Sequence, residues 1–233
     1  AGGVKTNYHD EGNGFPTILI HGSGPGVTAW ANWRFNIPVL SKNMRVLAPD
    51  MLGFGYTERP SDGVYSMERW CAHLVDFADA LGLDTFDIVG NSYGGALAIS
   101  MAANFPERVR RIVLMGAAGV SFPLTKALDE IWGYEPSIEA MQAMLDIFAY
   151  DRSLVGEGLA ELRYEASIQP GFQEAFSAMF PAPRQNGIEA LATPEDKISQ
   201  IECPALIIHG REDVVLPSSN SIRLFELLPN SEL

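Results

Sequence analysis

Short apolar runs rich in Ile, Val and Leu alternate with longer stretches whose apolar residues recur every three or four positions, up to about residue 120 and again from residue 204. Continuous apolar runs fit strands buried on both faces, and the longer pattern fits helices that cover them. Together they predict an α/β fold with a mostly parallel sheet and helices on both faces. Val4 to Asp10 alternates like an edge strand, and Ile18 to Ile20 reads as a short buried one. Arg45 to Asp50 is the next, ending on a Gly-Phe-Gly loop. From Ser66, a candidate N-cap, Trp70, Leu74, Phe77 and Leu81 fall at helical spacing until Gly82 closes the run. FDIVG is another strand, GGALAISMAANFP a helix of small residues that stops before Pro106, and Arg111 to Gly116 a further strand.

The alternation then breaks. Residues 121–200 are helical and loop-rich, with aromatics, methionines and prolines but no strand pattern, which predicts a helical cap inserted between core parts 1–120 and 201–233. The sheet pattern resumes at PALIIHG. No closing strand or helix is read after Asp213, so the chain is expected to be truncated at its C-terminus.

Composition narrows the class. With 233 residues, 47% hydrophobic and 19% charged, the chain can bury one large core. No apolar run approaches the roughly 18 residues of a membrane span, and the N-terminal segment lacks signal-peptide order. Cys71 and Cys203 show no metal spacing and fit a reducing cytoplasm, so no metal site and a cytoplasmic location are expected. A net charge of −13 without a basic cluster excludes a nucleic-acid partner and favours a small ligand. An anionic ligand would need a local cation, for which Arg34, Arg152, Arg163 and Arg184 are candidates.

The chemistry gathers around IVGNSYGG. Gly90-Asn91-Ser92-Tyr93-Gly94 matches G-x-S-x-G between a strand and a helix, a turn that exposes the serine hydroxyl as a nucleophile. The alternative for Ser92 is a helix cap. Attack on a carbonyl also needs donors for the developing oxyanion. The Tyr93 amide supplies one, and HGSGPG the other, at Ser23 or its neighbour Gly24. The Ser23 hydroxyl could add a third bond or merely stabilise its loop. His21 reads as a loop-stabilising residue rather than the base. The orienting acid is expected after a later strand, at Asp213 of HGRED, with Glu212 as competitor. No histidine follows Asp213, and His9, His73 and His209 read as structural, so the catalytic imidazole is expected beyond Leu233.

HGSGPGVTAWANWR, APDMLGFGYTERP, GNSYGG, WGYEPSIEAM, LDIFAYDRSLV, LRYEASIQPGF and HGRED together resemble the meta-cleavage product hydrolases of aromatic degradation, within the α/β-hydrolase superfamily. The likeness is greatest to the branch acting on 2-hydroxymuconate semialdehyde. It implies cofactor-free hydrolysis of a carbon–carbon bond beside a ketone or aldehyde in a small anionic dienoate, releasing 2-hydroxypenta-2,4-dienoate and a small acid. It also implies a homodimer, and substrate contacts at Asn32, Asn91, Ser153 and Arg163 with Phe148 shaping the pocket. Each has a plainer reading: turn amides for the asparagines, cap core for Phe148, and pairing with Glu161 or Glu165 for Arg163. A general carboxylesterase and a non-catalytic binding protein are the competing functions.

Overall fold

The computed structural model describes residues 1–154 and 158–233. The first half alternates strands and helices: β1 (Tyr8–Glu11), β2 (Pro16–Ile20), α1 (Ala29–Trp33), α2 (Ile37–Leu40), β3 (Arg45–Pro49), α3 (Met67–Ala80), β4 (Phe86–Asn91), α4 (Tyr93–Asn104) and β5 (Val109–Met115). Helices α5 (Lys126–Trp132), α6 (Ile138–Phe148), α7 (Leu159–Ser167), α8 (Phe172–Met179), α9 (Gln185–Leu191) and α10 (Glu195–Ile198) follow, with a short 3-10 turn at Arg152–Leu154. The chain then returns to β6 (Ala205–Ile208), α11 (Ser218–Leu227) and β7 (Ser231–Glu232). The strands form one sheet in the order β1-β3-β2-β4-β5-β6-β7, antiparallel only at β1.

The period-two alternation of strand side chains divides the core between the two faces of this sheet. Ile18, Ile20 and Leu47 pack with Leu74 and Phe77 of α3 and Leu97 of α4. Their neighbours Leu19, Val46 and Ala48 pack with Ala29, Trp33 and Ile37 from α1 and α2. Helix α3 starts where expected, since Ser66 accepts a hydrogen bond from the Arg69 amide and the predicted Trp70, Leu74 and Phe77 are buried. The two short helices α1 and α2 escape the sequence pattern because five and four residues carry too little periodicity.

Two expectations are corrected. The edge strand pairs only from Tyr8, because the Lys5 and Asn7 amides donate to the side chains of Glu58 and Thr57 instead of a ladder. A helix and a strand do follow Asp213: α11 packs against β6, and β7 pairs parallel with β6 through Ala205↔Ser231 and Leu206↔Glu232. The buried face of α11 is Asn220, Ser221 and Leu224, a polar stripe that the search for apolar periodicity misses. Among the described residues no helix is long and apolar enough to cross a membrane.

Candidate active site

Strand β4 delivers Ser92 to a sharp turn into α4. Its φ of 54° and ψ of −113° make it the one non-glycine residue with positive φ among the described residues. Three glycines make that turn sterically possible. A Cβ on Gly90 would lie 2.2 Å from the Gly94 carbonyl oxygen, one on Gly94 2.3 Å from that of Ile20, and one on Gly95 2.4 Å from the Ala117 side chain. The turn is pinned by the Ser92 amide donating to Met115 O at 3.0 Å and by Ser92 O accepting from the Gly95 amide at 2.9 Å. The hydroxyl makes no capping bond, so it is not a helix cap.

Ser92 opens into a cavity of about 650 Å³. Ser23, Gly24, Asn32 and Asn91 line it from the core, Phe148 and Arg163 from the inserted helices, and Asp213 from the loop after β6. A smaller pocket of about 10 Å³ lies beside it, lined by Ser23, Ser92 and Tyr93 and by apolar groups of Ala118, Trp132, Ile188 and Leu216. Among the described residues the Ser23 and Tyr93 amides have no protein acceptor. The Tyr93 side chain points into the core, edge-on to Trp70 at 4.9 Å, where burial holds its hydroxyl well above the usual tyrosine range.

Asp213 is fixed by its own loop: Oδ1 accepts from the Val215 amide at 2.8 Å and the Leu216 amide at 3.0 Å. Glu212 also borders the cavity but has no hydrogen bond holding its carboxylate among the described residues. Arg163 carries a charge with no carboxylate beside it among the described residues. One Nη2–H donates to Pro25 O at 3.2 Å, the guanidinium sits 5.5 Å over the Phe148 ring, and the buried Nε has no partner among the described residues. Burial, with the nearby Arg34 charge, lowers its pKa to about 10. Arg34 itself donates to Ala31 O, Arg184 pairs with Asp129 at 3.1 Å and Arg152 lies 3.7 Å from Asp146.

A family described as "alpha/beta hydrolase fold" matches residues 16–233. The 2-hydroxy-6-oxo-2,4-heptadienoate hydrolase of Pseudomonas putida is 59% identical over 233 residues, covering all of this chain and 84% of that protein. The 2-hydroxymuconate semialdehyde hydrolase of Pseudomonas sp. strain CF600 is 56% identical, covering all of this chain and 82% of that protein. The solved meta-cleavage product hydrolase CumD from Pseudomonas fluorescens IP01, a variant complexed with acetates, superposes with a TM-score of 0.98 at 59% identity, over all of this chain and 86% of that one. The chain belongs to the meta-cleavage product hydrolases.

In this member of the family the sequence-predicted residues mostly converge, with differences that side-chain geometry explains. Ser153 stands apart from the cavity: it is exposed, and its hydroxyl donates to Asp151 Oδ1 at 2.6 Å in the 3-10 turn. Asn32 uses Oδ1 to accept from the Gly22 amide at 3.1 Å, and Asn91 donates to Met115 O at 3.3 Å, so each braces backbone as well as facing the cavity. Arg163 pairs with neither Glu161 nor Glu165 among the described residues. None of the four imidazoles borders the cavity. His21 has Nδ1 on Gly22 O and Nε2 accepting from the Met51 amide, His209 sits between Ser221 and Leu216 O with Nε2 3.6 Å from Asp213 Oδ2, His73 bonds Thr6, and His9 lies against Trp30. The residues that sequence reasoning missed are apolar or indole-bearing. Trp132 donates through Nε1 to Ser23 Oγ at 3.1 Å from 109 positions away, and Ala118, Ile188 and Leu216 close the small pocket. No motif marks them, because their contribution is shape.

Proposed function

We propose that this enzyme hydrolyses the carbon–carbon bond beside the distal carbonyl of a 2-hydroxy-6-oxohexa-2,4-dienoate whose distal substituent is hydrogen or methyl, releasing 2-hydroxypenta-2,4-dienoate and formate or acetate. The observation that carries the reading is the size of the apolar pocket behind Ser92. About 10 Å³ is the space of one water-sized group, so a one-carbon substituent is the fit there. The two relatives above are named for the substrates with methyl and with hydrogen at this place.

In this reading Arg163 holds the substrate carboxylate, because a buried guanidinium without a counter-ion is stabilised by a bidentate anion. Asn32 and Asn91 face the dienoate oxygens, and Phe148 packs on its plane. Ser92 attacks the distal carbonyl, and the Ser23 and Tyr93 amides, with Gly24 beside them, receive the oxyanion. The substrate reacts in its 2-keto form, with the dienol proton moved to the carbon beside the distal carbonyl. The bond to that carbon then breaks, its electron pair passes through the enone to the 2-oxygen, which takes up a proton to give the dienol product, and water releases the small acid from the serine. Asp213 Oδ2 is the side of the carboxylate that would orient an imidazole acting as proton acceptor; His209 Nε2 lies 3.6 Å from it but is also bonded to Leu216 O and does not line the cavity.

Bleaching of the yellow dienoate measures turnover. Ser92→Ala is expected to abolish it, and a parent-like rate in that variant would overturn the reading. The phenyl-substituted dienoate is expected to show kcat/KM roughly 10- to 100-fold below the methyl compound, since the ring must overpack the small pocket. Equal values would refute the substituent assignment.

A further inference from the structure

The hydrogen bond between Trp132 of α5 and Ser23 of the loop after β2 has a direction that chemistry fixes. An indole N–H can only donate, so at 3.1 Å the Ser23 Oγ must accept. That leaves the Ser23 O–H as a donor, and among the described residues it has no protein acceptor. Ser23 borders both the main cavity and the small pocket, each of which Ser92 also lines. An acceptor bound in the space over Ser92 is therefore open to this hydroxyl. A partner able to accept, such as an amide or a second hydroxyl, could draw the Ser23 proton to itself; a donor-only partner takes a lone pair and leaves the proton for an acceptor elsewhere.

The indole is held rigidly enough to do this. It is buried, stacks on Phe180 with ring centroids 4.3 Å apart and planes 6° from parallel, and sits so close to Gly187 that a Cβ there would lie 3.1 Å from its ring. Phe180 and Gly187 both belong to the inserted helical segment.

We propose that Trp132 is a positioning residue that locks the Ser23 hydroxyl as a third donor to the oxyanion, so that full transition-state stabilisation exists only while α5 rests on the Ser23 loop. The inference rests on the serine-hydrolase reading above and deepens it.

Trp132→Phe keeps an apolar ring on Phe180 and removes the donor. Its kcat is expected to fall about tenfold with KM changed by less than about twofold, the loss of one hydrogen bond felt in the transition state. Ser23→Ala should lose at least as much, and adding Trp132→Phe to Ser23→Ala should cost nothing further, because the indole acts only through that hydroxyl. An unchanged kcat in Trp132→Phe, or an equal loss in both backgrounds, overturns the proposal. Should the phenylalanine variant not fold, benzothienylalanine in place of Trp132 preserves the ring shape and replaces only the N–H, with the same expected losses. Ser92→Ala run in parallel separates the two readings. Parent-like turnover there refutes serine attack altogether, whereas an inactive Ser92→Ala beside an unaffected Trp132→Phe refutes only the positioning role.

Discussion

Ser92 occupies backbone space that a side chain enters at a cost of roughly 1–3 kcal/mol, and the three close-packed glycines around it force that geometry. The strain belongs to the backbone rather than to the hydroxyl. Ser92→Ala should therefore leave stability near that of the parent, while Ser92→Gly, equally inactive, should gain about 1 kcal/mol in denaturant unfolding after the entropy cost of glycine. Equal stabilities for the two variants would show the turn to be unstrained. Arg163 is the other residue whose environment speaks for a task. It holds its charge against burial and the nearby Arg34, with Pro25 O and the Phe148 face beside it and no carboxylate among the described residues. Arg163→Met is expected to lower kcat/KM roughly 10- to 100-fold, the worth of a charge-assisted bond to a carboxylate, without lowering the thermal midpoint. A stability loss with kcat/KM intact would assign it to structure instead.

At the scale of elements, helix α3 carries a titratable group on its buried side. His73 accepts or donates one hydrogen bond with Thr6 at 2.9 Å and leaves Nδ1 unpaired, and burial lowers its pKa from 6.5 to about 4. Between those values the unfolded chain binds a proton that the folded chain refuses, so this group makes stability fall as pH drops from 6.5 toward 4 and adds no further slope below. His73→Gln should flatten that acid limb in urea melts across pH 4 to 7, and an unchanged slope would show that His73 is charged in the fold. The elements that sequence periodicity predicted well are those with apolar faces: β2 to β5, α3, α4 and β6. Helix α11 was illegible because its buried face carries the polar Asn220 and Ser221 beside Leu224, with Ser221 hydrogen-bonded to His209 at 2.6 Å.

For the whole molecule, the question is how the inserted helices stay seated on the sheet domain. Phe172 of α8 lies 6.0 Å edge-on to Tyr56 and 4.2 Å below the Arg59 guanidinium, both on the loop after β3. Trp132 and Ile188 reach the floor of the small pocket from the same helical segment. Phe172→Ala removes the first of these attachments. Amide exchange is expected to quicken in α7 and α8 while α3 and α4 keep parent-like protection, and quickening spread evenly over both would mean that the two regions unfold as one.

The sequence by itself determined the sheet from β2 to β6, the serine turn, the loop that faces it and the carboxylate after β6, because each depends on neighbours along the chain: runs of apolar residues, glycines where backbones touch, a carboxylate bonded to amides two and three residues on. Only the tertiary structure decided that Arg163 is buried with no carboxylate beside it among the described residues, that Ser153 turns away from the cavity, and that a pocket of about 10 Å³ lies behind Ser92. Those properties arise where side chains from distant segments meet. Such meetings, like Trp132 with Ser23 across 109 positions, are set by packing volume and donor geometry, which leave no period or motif in the chain.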